Sequence, residues 1–167
     1  MKTSHHQQYL ALLAIATSAF TVSAQSTAEP LQLSLHHATA SVGDLDRAVK
    51  WYQDKLGFKV ALRRKLDANS EIAWMTMPGN RIDLIARKGS AKSPDQKDHV
   101  MNQGWAHIVF SVPDADRAFA VLKSRGVNLP EPVSTNEALH IKTSHFPDGE
   151  GNWLEIYQDL SAQQPKK

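Results

Sequence analysis

The stretch "HATASVGDLDRA" (residues 37–48) returns as "HIVFSVPDADRA" (residues 107–118), and the repetition decides how the rest of the chain is read. Each copy opens on histidine, passes through Ser-Val, and then reaches Asp and Asp-Arg-Ala. In the first copy Ala38, Ala40 and Val42 fall on one side of a strand, with His37, Thr39 and Ser41 on the other, because side chains alternate with a period of two. Asp44 and Asp114 stand where a helix N-cap is needed, since an acceptor side chain satisfies free N–H groups of the first turn. Those capping acids need no function beyond that.

Outward from the first copy, Leu45, Ala48, Val49, Tyr52 and Leu56 recur at helical spacing and Gly57 supplies the stop. The first strand is expected over Leu33 to Val42. Three more follow, over Phe58 to Leu62, Ile72 to Met77 and Arg81 to Ala86, with "PGN" at 78–80 turning the chain. The second half repeats the plan. A strand is expected over Trp105 to Val112, then a helix with Ala115, Ala118, Phe119 and Leu122 on its apolar stripe and Gly126 as its stop. Leu139 to Phe146 and Asn152 to Tyr157 are the last two strands, joined by "PDGEGN", while the strand before them has no clear place among Pro130 and Pro132. The far ends match as well: "NRIDLIA" (80–86) lies against "NWLEIYQ" (152–158), with Asp83 opposite Glu155. Each half is thus a βαβββ unit that opens on histidine and closes on a carboxylate.

The flanks read differently. Lys2, an apolar run from Tyr9 to Phe20 and "VSA" at 22–24 form an export signal over residues 1–24, cut after Ala24. The run is shorter than the ~20 apolar residues that span a bilayer, so no membrane anchor is expected after cleavage. The product is expected to be periplasmic or secreted. Residues 33–160 form the domain, with module one at 33–87, a polar linker at 88–104 and module two at 105–158; residues 161–167 read as a frayed tail. The chain holds no cysteine, which excludes disulfides, thiolate nucleophiles and sulfur ligands together. With 19 basic and 17 acidic residues and no basic stripe, nucleic acid is not an expected partner.

Taken singly, a histidine on a strand or an acid between apolar neighbours is more often structural than functional. The four duplicated residues, His37, Asp83, His107 and Glu155, are harder to dismiss. Related by a pseudo-twofold, they converge if the two sheets curl around one cavity, and buried charges are costly unless paired or bound to metal. Imidazole with carboxylate suits a divalent ion such as Zn, Ni, Fe or Mn.

These motifs, together with the ending "FPDGEGNWLEIY", resemble the vicinal oxygen chelate superfamily, which includes glyoxalase I, methylmalonyl-CoA epimerase, extradiol dioxygenases and antibiotic-resistance proteins. The resemblance runs from about Leu33 to Tyr157. It implies an α+β fold of two βαβββ modules that form a cupped, barrel-like sheet with helices outside and a metal within. It also implies His37 and His107 from first strands and Asp83 and Glu155 from last strands as metal ligands. Homodimers are frequent in the group, so one is expected here. The isomerase pattern usually carries Glu where this chain has Asp83, which is one methylene shorter.

Three functions follow as expectations. The first is a metal-dependent glyoxalase-like lyase or isomerase that acts on a small substrate with vicinal oxygens through an enediolate, with Glu155 or Asp83 moving the proton. Without Asp83, the set His37, His107 and Glu155 suits an Fe(II) extradiol-type dioxygenase. The third is a non-enzymatic small-molecule binding or resistance protein. His140 and His145, on the penultimate strand, are candidates for an acid–base or supporting role, and Trp74, Trp105 and Trp153 for lining a pocket. His36 and His99 are expected to be exposed or linker residues.

Overall fold

Module one consists of β1 (Ala38–Val42), α1 (Leu45–Trp51), β2 (Lys59–Lys65), β3 (Ser70–Met77) and β4 (Asn80–Arg87). Module two consists of β5 (Ile108–Ser111), α2 (Ala115–Ser124), β6 (Ser134–Asn136), β7 (Ile141–Pro147) and β8 (Trp153–Asp159). The structure, a computed structural model, describes residues 33–91 and 104–161. The expected export signal, most of the linker and nearly all of the tail lie outside the described residues. Among the described residues no helix is long and apolar enough to cross a membrane.

Each module makes a four-stranded mixed sheet, in the orders β1-β4-β3-β2 and β5-β8-β7-β6. The first strand of each runs parallel to the last, and the remaining pairs are antiparallel. This is the α+β architecture of two βαβββ units read from the repeat. Both sheets remain open, as a cupped rather than closed barrel requires.

Both helices start at the expected caps: the side chains of Asp44 and Asp114 accept hydrogen bonds from the N–H groups of Arg47 and Arg117, at 3.0 and 2.9 Å. The first helix does not run on regularly to its stop. Its last turn, Tyr52–Leu56, widens into a π turn before Gly57 ends it with φ at 84°. That turn buries the Tyr52 ring completely. The core then divides in two. Ala40, Val42, Met75, Ile82 and Leu84 pack with Tyr52 in module one, and Phe146, Leu154 and Ile156 pack with Leu122 in module two. Trp51, Leu56, Ile108 and Phe110 touch both clusters and join them.

The first strands are shorter than expected. β1 begins at Ala38 rather than Leu33, and β5 at Ile108 rather than Trp105, because pairing with β4 and β8 starts only there. The residues ahead of them have no strand partner, and Leu35 and Trp105 are fully exposed. His37 and His107 therefore stand immediately before their strands rather than within them. The strand that could not be placed by sequence is β6, a short exposed edge beyond Pro132.

Polar contacts tie the modules as well. The β7–β8 turn of module two docks on the start of α1, where Glu150 accepts from Gly43 N at 2.8 Å and Arg47 Nε at 2.7 Å. Beside it the buried Asp148 accepts from Tyr52 Oη at 3.0 Å and from Glu150 N, Asn152 N and Asn152 Nδ2. Burial, and the adjacent Asp148, hold the Tyr52 phenol well above its ordinary pKa.

Candidate metal centre

Alternation along β8 turns Leu154 and Ile156 into the core and Glu155 to the opposite face. Two neighbouring strands bring imidazoles to it. Val109 of β5 is the register partner of Glu155, which leaves His107 two residues earlier on the same side. His145 of β7 is its partner on the other flank. His107 Nε2 lies 2.7 Å and His145 Nε2 3.6 Å from the same carboxylate oxygen, Glu155 Oε2. The two rings meet edge to face at 4.9 Å. One ligand atom from each of these three residues falls within 4.8 Å of the others. Glu155 is buried, while the imidazoles are partly open. Two nitrogen donors around a buried carboxylate fit a first-row divalent ion, because the ion supplies the charge compensation that burial withholds.

His145 is itself held from behind. Its Nδ1 lies 3.0 Å from Glu131 Oε2, on the segment that leads into β6.

The corresponding place in module one is built differently. Asp83 of β4 is buried and turned to the same face of its sheet, and His37 Nε2 is 3.5 Å from its Oδ2. Arg81, two residues earlier on that face, grips both carboxylate oxygens at 2.7 and 2.8 Å. Its guanidinium lies 3.8 Å over the ring of Trp74, the β3 partner of Asp83. Hydrogen bonding to Asp83 raises the Arg81 pKa above its ordinary value. The other side of His37 meets the exposed His36, Nδ1 to Nδ1, at 2.6 Å.

The four residues singled out by the repeat are thus brought together as two pairs, His37 with Asp83 and His107 with Glu155. His145 joins the second pair; His37 and Asp83 are not part of that three-residue group. His140 stays apart, exposed ahead of β7 with φ at 54°. Trp74 serves as the platform for Arg81, and Trp105 is fully exposed. A hollow of 510 Å³ opens elsewhere, between Gly43, Arg63, Asn69 and Arg87, and none of the candidate ligands lines it. Arg81 and Glu131 were not found by sequence reasoning. Alternation could have placed Arg81 beside Asp83, whereas Glu131 sits where no strand could be assigned.

The model of the Glyoxalase/Bleomycin resistance protein/Dioxygenase superfamily matches residues 34–156. Among curated proteins, glyoxalase I of Saccharomyces cerevisiae is 26% identical over 87% of this chain, which spans 54% of that relative. The chain is therefore about half the length of that yeast protein. Lactoylglutathione lyase of Pseudomonas putida is 24% identical, covering 82% of this chain and 91% of the relative. Among solved structures, a glyoxylase/bleomycin resistance protein/dioxygenase domain from Frankia sp. shares the fold with a TM-score of 0.65 and 24% identity, over 78% of this chain and 95% of that one.

Proposed function

Because the chain belongs to the Glyoxalase/Bleomycin resistance protein/Dioxygenase superfamily, we propose that it is a divalent-metal enzyme of the glyoxalase-like lyase or isomerase kind. The observation that carries this reading is the convergence of His107 and His145 on one oxygen of the buried Glu155. His107 and Glu155 hold the ion, and His37 or His145 completes the set. When bound, the ion would polarise the carbonyl of a small substrate with vicinal oxygens and so acidify the adjacent, oxygen-bearing carbon. Glu155 is the better placed of the two carboxylates to move that proton, since both oxygens of Asp83 accept from Arg81.

The relatives named glyoxalase I and lactoylglutathione lyase support the reaction class. The apolar run and "VSA" of residues 1–24 support export, which favours a sugar, hydroxyketone or other dicarbonyl compound over a glutathione adduct as substrate. The resemblance to the superfamily supports a homodimer.

A second reading has its own observation. Arg81 engages Asp83 fully, and the remaining two-histidine, one-carboxylate set suits Fe(II) and oxygen chemistry. One experiment separates the readings. The protein is loaded with Zn, Ni, Mn or anaerobic Fe(II), and hydroxyketones in D2O are followed by NMR for deuterium uptake at the hydroxyl-bearing carbon next to the carbonyl. Uptake that disappears in Glu155→Gln is the expected result. Oxygen consumption with a catechol, seen with Fe(II) alone and without deuterium uptake, moves the assignment to the dioxygenase. A protein that takes up no metal is left as a binding or resistance protein.

A further inference from the structure

We propose that the third protein ligand is His145, presented to the metal by Glu131, and that Asp83 stays outside the coordination sphere in its ion pair with Arg81. The proposal rests on the metal-dependent reading above and specifies its ligand set.

The argument begins with the segment "LPEPV" (129–133). Pro130 and Pro132 flank Glu131, and proline restricts both its own φ and the residue before it, so the backbone at Glu131 has little freedom. Val127 and Leu129 anchor the approach by packing against the module-two core. Ser144, fully buried in β7, donates its hydroxyl to the Glu131 carbonyl at 2.7 Å. The next residue of β7 points to the opposite face, and there His145 Nδ1 meets the Glu131 carboxylate at 3.0 Å. Glu131 is thus held by its backbone to one residue of the strand and by its side chain to the next.

The chemical consequence concerns the other ring nitrogen. An ionised carboxylate can only accept, so a neutral imidazole paired with Glu131 carries its proton on Nδ1 and keeps the Nε2 lone pair for an ion. Nε2 is the atom directed at Glu155 Oε2, the oxygen that His107 Nε2 also faces. A carboxylate behind a histidine is the usual support of a metal-binding imidazole, fixing its tautomer and ring orientation. Arg81 and Trp74 have the reverse effect in module one. The two charge-assisted hydrogen bonds neutralise Asp83 and hold a guanidinium against it, which opposes the approach of a second cation to that carboxylate. Glu131 is a positioning residue and makes no contact with the ion.

The test uses the purified, metal-free protein and Co(II) as the probe. Affinity is measured by chelator competition, the visible absorption of bound Co(II) reports geometry, and X-ray absorption counts imidazoles. For His145→Ala we expect a loss of affinity of more than about 100-fold, beyond the effect of an outer-shell change, and one imidazole fewer. Glu131→Ala weakens binding by about 10–100-fold with an altered Co(II) spectrum, while Glu131→Gln, which can still accept from Nδ1–H, recovers part of the loss. Asp83→Asn and His37→Ala keep the parent's affinity and imidazole count. Circular dichroism of each metal-free variant checks that it folds. Loss of an imidazole in His37→Ala together with an unchanged His145→Ala would overturn the proposal and leave the metal-dependent reading standing. Failure of the parent to bind Co(II) or Zn would overturn both.

Discussion

Trp74 faces Asp83 across β3 and β4 at the position where His145 faces Glu155 across β7 and β8. Two residues before each carboxylate stand Arg81 in module one and Trp153 in module two. The backbone frames are alike, so the fate of each carboxylate is decided by these neighbours. In module two a second imidazole joins the first and the acid becomes the centre of a donor group. In module one an arginine, stacked on tryptophan, neutralises the acid with two hydrogen bonds. The repeat gives two matched places, and three matched positions on that sheet face differ between them, Trp74 against His145, Arg81 against Trp153 and Asp83 against Glu155.

A second asymmetry lies in the turns. The β7–β8 turn of module two is fastened around α1, with Glu150 accepting from Gly43 and Arg47 at its start and Asp148 from Tyr52 in the π turn that follows it. The β3–β4 turn of module one has open space around Gly79.

The largest effect on stability is expected from Arg81→Met, which strips both hydrogen bonds from the buried Asp83. Urea unfolding should show a greater loss than either change below, because a buried carboxylate without its cation is uncompensated. Adding Asp83→Asn should restore most of it. If Arg81→Met were neutral, the contrast between the two carboxylates would be broken.

Next comes Tyr52→Phe, which removes one donor from Asp148 and should cost about 1–3 kcal/mol in the same assay. Its pH dependence sharpens the point. The folded chain retains the Tyr52 proton at pH values where the unfolded chain has lost it. The resulting stabilisation is complete below the pKa of an unfolded tyrosine, about 10, and is lost as pH rises above it. Tyr52→Phe should therefore flatten the alkaline fall in stability that the parent shows.

The smallest effect is expected at the turns. An added Cβ at Gly149 would approach Trp51 Cδ1 to 3.0 Å, and Trp51 packs against both core clusters with little room to withdraw. Gly149→Ala should cost about 1 kcal/mol through overpacking. Gly79→Ala meets no atom but must hold φ at 77°, so its cost of about 1 kcal/mol is purely conformational. Crystal structures of the two variants would separate a displaced Trp51 from a relaxed turn.

Repetition and periodicity in the sequence carry the duplicated βαβββ plan, the two helix caps and the core-facing alternation, and they mark a histidine and a carboxylate in each module without saying which of the four meet. All of these depend on local periodicity or on repetition, both visible in one dimension. The beginnings of the first strands were misplaced because strand limits are set by where a partner strand starts, as Ala38 against Ile82 shows. Tertiary structure alone decided that His145 rather than Asp83 joins His107 and Glu155, since that choice depends on which strand lies beside β8. It alone placed Glu131 behind His145, joining a proline-flanked segment to a strand through backbone and side chain together. Spacing along a chain carries no record of such a cross-strand meeting. The geometry of pairing supplies it.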